Sequence, residues 1–316
     1  MSAPLVVICP GQGAQIVGMA KTWFDASAEA RAVFSVADNI VGDRFGSKLS
    51  DICFNGPVDL LNRTDVSQPA IYAASMACWH GLLAKMSMTA SDCPLAATAG
   101  LSLGEYTALC VAGALSFEDG LNLVLLRGRA MQDAAESPEA AAGGGGGMVA
   151  LIGAEDAQAQ QVCDEARAGD VLVCANFNTP GQVVLSGHKS ACSRAAEVAA
   201  RMGLRAAVLP VSGAFHSPLM RAAAERLAEA LAKTPMQTER CPVMSNVSAA
   251  PHVGGADMIR QRLSEQLTHP VRWANCCTWL AANVKGEWHE LAPQRTLAGM
   301  MRRIDKNVKV TGHDDP

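Results

Sequence analysis

The chain is short of charge. Charged residues make up 18% of its 316 residues, against a usual share of about 25%. Hydrophobic residues reach 49%, so a chain with this much to bury folds rather than staying disordered. Neither sign of charge is in real excess: 26 Lys and Arg stand against 30 Asp and Glu, a formal net charge of −4. A nucleic-acid binder needs a basic field, and none is present. The 11 cysteines include no C-x-x-C pair and no histidine at ligand spacing, so no metal site is expected, and their odd number argues against a disulfide framework. Cysteines in apolar segments, such as Cys9 and Cys110, read as small buried hydrophobes in a reducing compartment. No stretch approaches the ~18 uninterrupted apolar residues of a membrane span, and the N-terminus lacks the charged start and apolar run of a secretory signal. A soluble intracellular protein without a membrane partner is expected.

At about 100 to 200 residues per domain, the length admits one large domain with an insertion, or two modest ones. Leu5 to Cys9, closed by Pro10-Gly11, reads as a buried strand entering a loop. Ser67-Gln68-Pro69 resembles a helix start, with a cap residue and an early proline ahead of an Ala/Leu/Met-rich run to about Met86. Leu95 to Ala99 reads as a second buried strand, followed by Gly100-Leu101-Ser102-Leu103-Gly104 and a helix from Glu105 to Ala112. Ser116 to Asp119 offers a capping box for a helix to about Glu136, on which Arg127 and Met131 share a face. The Gly-rich segment 143–147 reads as a flexible hinge. Beyond it, strands and helices follow in the order βαββαβ from Met148 to Leu209, the split ferredoxin-like pattern. The fold class is therefore expected to be α/β, with a small α+β insertion. Its expected boundaries are a large domain over 1–142 and 209–316 and a small subdomain over 148–208.

Gly100 to Gly104 is a G-x-S-x-G sequence between a buried strand and a helix, the setting of a nucleophile elbow, with Ser102 as candidate nucleophile. A glycine-rich turn with a capping serine has the same local sequence. Pro10-Gly11-Gln12-Gly13-Ala14-Gln15 lacks the third glycine of a dinucleotide fingerprint and the lysine of a phosphate loop. It could instead aim the Gln12 backbone N–H, together with that of Leu103, at a developing oxyanion, or be a plain tight turn. Of the seven histidines, His216 stands out as a base, because a helix start at Ser217-Pro218 would disfavour its protonated form. An ordinary loop hydrogen bond is the alternative. Arg127 lies on an otherwise apolar face with Leu123, Val124 and Met131, so it needs a partner: a substrate carboxylate, or an Asp or Glu of the protein.

Pro10 to Gln15, Gly100 to Tyr106, Leu126-Arg127-Gly128-Arg129-Ala130-Met131-Gln132 and Ser212-Gly213-Ala214-Phe215-His216-Ser217 together closely resemble the malonyl-CoA:acyl carrier protein transacylases of type II fatty acid synthesis. The likeness runs from about Val6 to Ile304 and includes Ser245-Asn246-Val247 and His269-Pro270-Val271-Arg272-Trp273. It departs at Leu101, where bacterial members usually carry histidine and plant and algal plastid enzymes resemble this chain. It departs again at Arg272, where some relatives have glutamine.

The resemblance implies an α/β-hydrolase-like large domain and an acyl transfer in two steps. Ser102 would take a malonyl group from malonyl-CoA with His216 as base and pass it to the pantetheine thiol of acyl carrier protein. Gln12 and Leu103 N–H groups would hold the oxyanion, and Arg127 the malonyl carboxylate. Met131 and Phe215 would line the acyl pocket, Phe215 crowding a methyl branch, and the Arg272 backbone carbonyl would orient His216. No metal or cofactor is implied, and a monomer is expected. Plastid stroma is the implied compartment, with bacterial cytoplasm as the alternative. Arg302, Arg303, Lys306 and Lys309 could meet an acidic carrier protein or be a solvated helix end. An esterase using the same elbow would add an acidic third member, for which Asp119 and Asp170 are candidates, and a non-catalytic carrier-binding module is a further rival.

Overall fold

The computed structural model describes residues 3–211 and 213–316. From the N-terminus, β1 (Leu5–Cys9) leads through α1 (Lys21–Ala26), α2 (Ala28–Val41), α3 (Leu49–Asn55) and α4 (Val58–Leu61) into the long α5 (Thr64–Lys85). Then come β2 (Leu95–Gly100), α6 (Gly104–Val111), α7 (Phe117–Ala135) and α8 (Pro138–Ala142). An inserted run follows: β3 (Gly146–Ile152), α9 (Asp156–Arg167), β4 (Leu172–Thr179), β5 (Gln182–His188), α10 (Lys189–Arg201) and β6 (Arg205–Val208). The chain returns through a 3-10 turn at Pro218–Met220, α11 (Arg221–Lys233), β7 (Met244–Ser245), β8 (Ala250–Pro251) and α12 (Gly255–Glu265). It closes with α13 (Trp273–Asn283), β9 (Glu287–Leu291), α14 (Thr296–Ile304) and β10 (Val310–His313).

The Leu-Val-Val-Ile-Cys run of β1 is buried throughout, as a strand covered on both faces requires. It is central in a parallel sheet of order β10-β9-β1-β2. Cys9 lies opposite Gly100, so the loops leaving β1 and β2 emerge side by side at the carboxyl ends of the strands, where open α/β sheets build their sites. Helix α5 is buried on nearly every face and packs along α7. It begins at Thr64, a turn before the expected start, and Pro69 sits inside it, because tertiary burial continues the helix past the local signal. Ser116 caps α7 by accepting the Asp119 N–H at 3.0 Å.

The insertion forms an antiparallel sheet of order β4-β5-β3-β6 with α9 and α10 packed over its own core of Val149, Leu151, Val162, Leu185 and Val198. The 143–147 segment, expected as a hinge, is hydrogen-bonded to its neighbours. Gly146 and Gly147 are paired in β3, while Gly143 and Gly145 carbonyls accept the Ser190 and Lys189 N–H groups at the start of α10. β4 also grips the large domain, with Phe177 N–H donating to Val271 O at 2.9 Å and Val271 N–H to Ala175 O at 2.8 Å. No helix among the described residues is long and apolar enough to cross a membrane.

Candidate active site

Ser102 occupies the turn between β2 and α6 with φ +52°, a left-handed conformation that costs a non-glycine residue on the order of 1 kcal/mol or more and must be held by its surroundings. Glycines let this turn and the loop after β1 approach each other closely. A Cβ on Gly104 would lie 2.2 Å from Cys9 O, and one on Gly11 would lie 2.2 Å from Leu101 O. The strained turn is anchored at both ends: Ser102 N–H donates to Asn246 Oδ1 at 2.6 Å, and Ser102 O accepts from Gln266 Nε2 at 3.0 Å.

His216 also has a positive φ, +56°, and its Nε2 is 2.8 Å from Ser102 Oγ. Nδ1 donates to the Gln266 backbone carbonyl at 2.7 Å, which leaves Nε2 as the acceptor for the serine proton. Burial, and then the charge of Arg127, push this imidazole down to about 4, so it is neutral near pH 7. Desolvation and a neighbouring cation are the causes the structure shows, and Ser217-Pro218 opens only a three-residue 3-10 turn. The expected orienting carbonyl at Arg272 is a correction: that carbonyl accepts the Cys276 N–H in the first turn of α13. The Arg272 guanidinium lies over the Phe177 ring, 5.8 Å from its centroid. Neither carboxylate considered as an acidic third member reaches His216. Asp119 pairs with Ser116 at the start of α7, and Asp170 binds Arg194, Ser190 and His188 on the insertion.

Arg127, on α7, is 1% exposed and donates from Nη2 to Ser102 Oγ at 3.0 Å. Its other hydrogen-bond partners are amides, Gln68 Oε1 at 2.7 Å from Nη1 and Gln266 Oε1 at 3.1 Å from Nη2, and it lies over the Tyr106 ring, 5.5 Å from the centroid. It has no ion-pair partner among the described residues, and its Nε has no hydrogen-bond partner there. The protein carboxylate allowed by sequence is therefore not what satisfies this cation. Gln68 also donates to Met131 Sδ at 3.3 Å.

These groups lie at the base of a cleft of about 720 Å³, within the usual range for small-molecule sites. Ser102, His216, Gln12, Leu101, Met131 and Phe215 line it, together with Asn176 and Met148 of the insertion, whereas Arg127 lies just behind the lining. The Gln12 and Leu103 N–H groups have no acceptor among the described residues. Ser212, which opens the Ser212 to Ser217 motif, lies outside the described residues. Among the described residues there is no cluster of three or more His, Cys, Asp or Glu placed to hold a metal ion.

Five residues around the site were not singled out by sequence: Gln68, Gln266, Glu105, Asn246 and His252. Gln68 left the clearest trace, a lone amide in an Ala/Leu/Met-rich helix; Glu105 and Asn246 were quoted only within motifs. Nothing local marks Gln266 or His252.

The acyl transferase domain model matches residues 6–309. The malonyl CoA-acyl carrier protein transacylase of Escherichia coli K12 is 36% identical, covering 98% of this chain and 95% of the relative. A crystal structure of the malonyl-CoA:acyl carrier protein transacylase of Xanthomonas oryzae superposes with a TM-score of 0.90 at 40% identity, covering 100% of this chain and 96% of that one. A malonyl-transacylase solved in complex with a type II PKS acyl-carrier protein gives a TM-score of 0.90 at 33% identity, covering 99% of this chain and 96% of that one. With His216 and the buried Arg127 both within hydrogen-bond reach of Ser102 Oγ, and with likeness over nearly its full length, the chain belongs to the malonyl-CoA:acyl carrier protein transacylase family of acyl transferases.

Proposed function

We propose that this chain transfers a malonyl group from malonyl-CoA to the pantetheine thiol of acyl carrier protein through a malonyl ester on Ser102, supplying fatty acid synthesis. The observation that carries this reading is the buried guanidinium 3.0 Å from Ser102 Oγ, held by two amides and the Tyr106 ring and by no carboxylate among the described residues. A neutral-ester hydrolase has no use for a buried cation there, whereas an acyl group ending in a carboxylate pairs with its fork.

In the first half-reaction Ser102 Oγ attacks the thioester carbonyl as its proton passes to His216 Nε2. Gln12 and Leu103 N–H groups stabilise the oxyanion. Collapse breaks the C–S bond, and the proton on His216 leaves with the coenzyme A sulfur. In the second, the pantetheine thiol gives its proton to His216, its sulfur attacks the ester carbonyl, and the C–O bond breaks. The proton then returns to Ser102 Oγ. Every step uses groups of the chain and its two substrates. Met131 and Phe215 bound the acyl end of the cleft, and Phe215 disfavours a branched acyl group.

Incubation with malonyl-CoA and a pantetheine thiol tests this reading. Thiol-dependent malonyl transfer with a malonyl adduct on Ser102 is expected; free malonate as the main product would make the chain a hydrolase, and no adduct would make it a binding module. The basic end of α14 suits an acidic carrier protein, because Arg302 and Arg303 are exposed in its last turn while Leu297 and Met300 line the cleft. The inserted unit reads as ferredoxin-like, since its strands, counted within the unit, lie in the order 2-3-1-4. The hydrolase-like reading of the large domain rests on the elbow. Leu101 alone supports a plastid compartment, and bacterial cytoplasm, the setting of bacterial relatives, is the alternative.

A further inference from the structure

A buried guanidinium without a counter-charge is costly, and Arg127 has amide partners on both sides. The balancing charge lies one amide further back. Glu105, in the first turn of α6 and fully buried, accepts from Gln266 Nε2 at 2.8 Å through Oε2. The same oxygen accepts the Asn246 N–H at 3.0 Å. Its other oxygen accepts from His252 Nε2 at 2.9 Å. His252 Nδ1 has no partner among the described residues, so the ring proton belongs on Nε2, facing the carboxylate.

This arrangement fixes the Gln266 amide in one sense. Its oxygen faces Arg127 and its nitrogen faces Glu105 and Ser102 O; the reverse orientation would set donor against guanidinium and acceptor against carboxylate. A carboxylate placed directly on Arg127 would neutralise the fork and compete with an acyl carboxylate. An amide between them transmits position without that neutralisation. We propose that Glu105, steadied by His252, is the insulated counter-charge and positioning residue of Arg127, and through Gln266 sets the preference for acyl groups that end in a carboxylate. The proposal rests on the transferase reading and deepens it.

The test uses the intact chain with Glu105→Gln and, separately, His252→Asn. Ser102 acylation by malonyl-CoA and by acetyl-CoA is followed by mass spectrometry, with thermal unfolding to verify folding. Glu105→Gln is expected to lower malonyl kcat/KM by about tenfold, the effect of one charge-assisted hydrogen bond, mainly through KM. Acetyl acylation should fall by clearly less, because an acetyl group presents no charge to the fork and feels only the shared support of Ser102 and His216. His252→Asn should move the ratio the same way by less, and it decides the question if Glu105→Gln does not fold. A competent wild type beside a folded variant with an unchanged malonyl-to-acetyl ratio, or with equal losses for both groups, overturns this proposal alone. A wild type that accepts neither acyl group overturns the functional reading and the proposal with it.

Discussion

The parallel-sheet domain and the inserted β3 to β6 unit each hold a histidine against a carboxylate, in opposite settings. His252 and Glu105 have side chains 1% exposed each, while His188 and Asp170 are 12% and 28% exposed. Asp170 is held down to about 2, chiefly by the Arg194 hydrogen bond, in a solvated cluster that fastens β5 and α10. The buried pair is instead linked through Gln266 and Asn246 to Ser102, Arg127 and His216. Solvent screens the first cluster and leaves the second coupled to the reaction. On the proposed function, the reacting groups lie outside β3 to β6, which line the cleft with Met148 and Asn176.

The sharpest test of that division is Ser102→Ala, which should abolish the acyl adduct and lower transfer by ~10⁴-fold or more. Arg127→Ala is expected to lower malonyl kcat/KM by about 100-fold, near 3 kcal/mol, while acetyl transfer is spared or improved. Equal losses for the two acyl groups would sever the link between guanidinium and carboxylate. The third expectation concerns pH. With the His216 imidazole lowered from 6.5 to about 4, the acid limb of kcat/KM should fall near pH 4. The unfolded chain binds this proton first, so the associated stability is present above pH 6.5 and is lost as pH falls towards 4, by about 3 kcal/mol in total. Denaturant titrations of wild type and His216→Ala should show that extra decline in wild type only. A smaller change, a fewfold loss of carrier-dependent transfer at low salt, is expected for Arg302→Glu with Arg303→Glu, with transfer to free pantetheine unchanged. Asp170→Asn should leave malonyl transfer at the wild-type rate; a large loss would mean that the insertion does more than wall the cleft.

The fold was legible where one local pattern decides structure. β1 runs from Leu5 to Cys9, as its apolar run implies, and the βαββαβ order appears in the insertion. Composition did not reveal the backbone pairing of Gly143 to Gly147 with β5 and α10, because hydrogen bonds between main chains leave no mark in residue type. At the candidate site, Ser102, His216 and Arg127, which meet at one hydroxyl, stood out because each residue type is unusual in its local setting. The group that orients His216 was not, since any residue can offer a backbone carbonyl and Gln266 lies 50 positions away.

The sequence alone determined the nucleophile's turn, because Gly100, Ser102 and Gly104 are neighbours and the strain they accommodate is local. It also determined that a cation would need an answer at position 127, because an apolar helical face says so. What answers it, the amides of Gln68 and Gln266, 59 and 139 positions away, was decided only by tertiary structure. Partners that meet across a folded core leave no periodicity behind, and what brings them together is the packing of whole elements rather than the preference of any one residue.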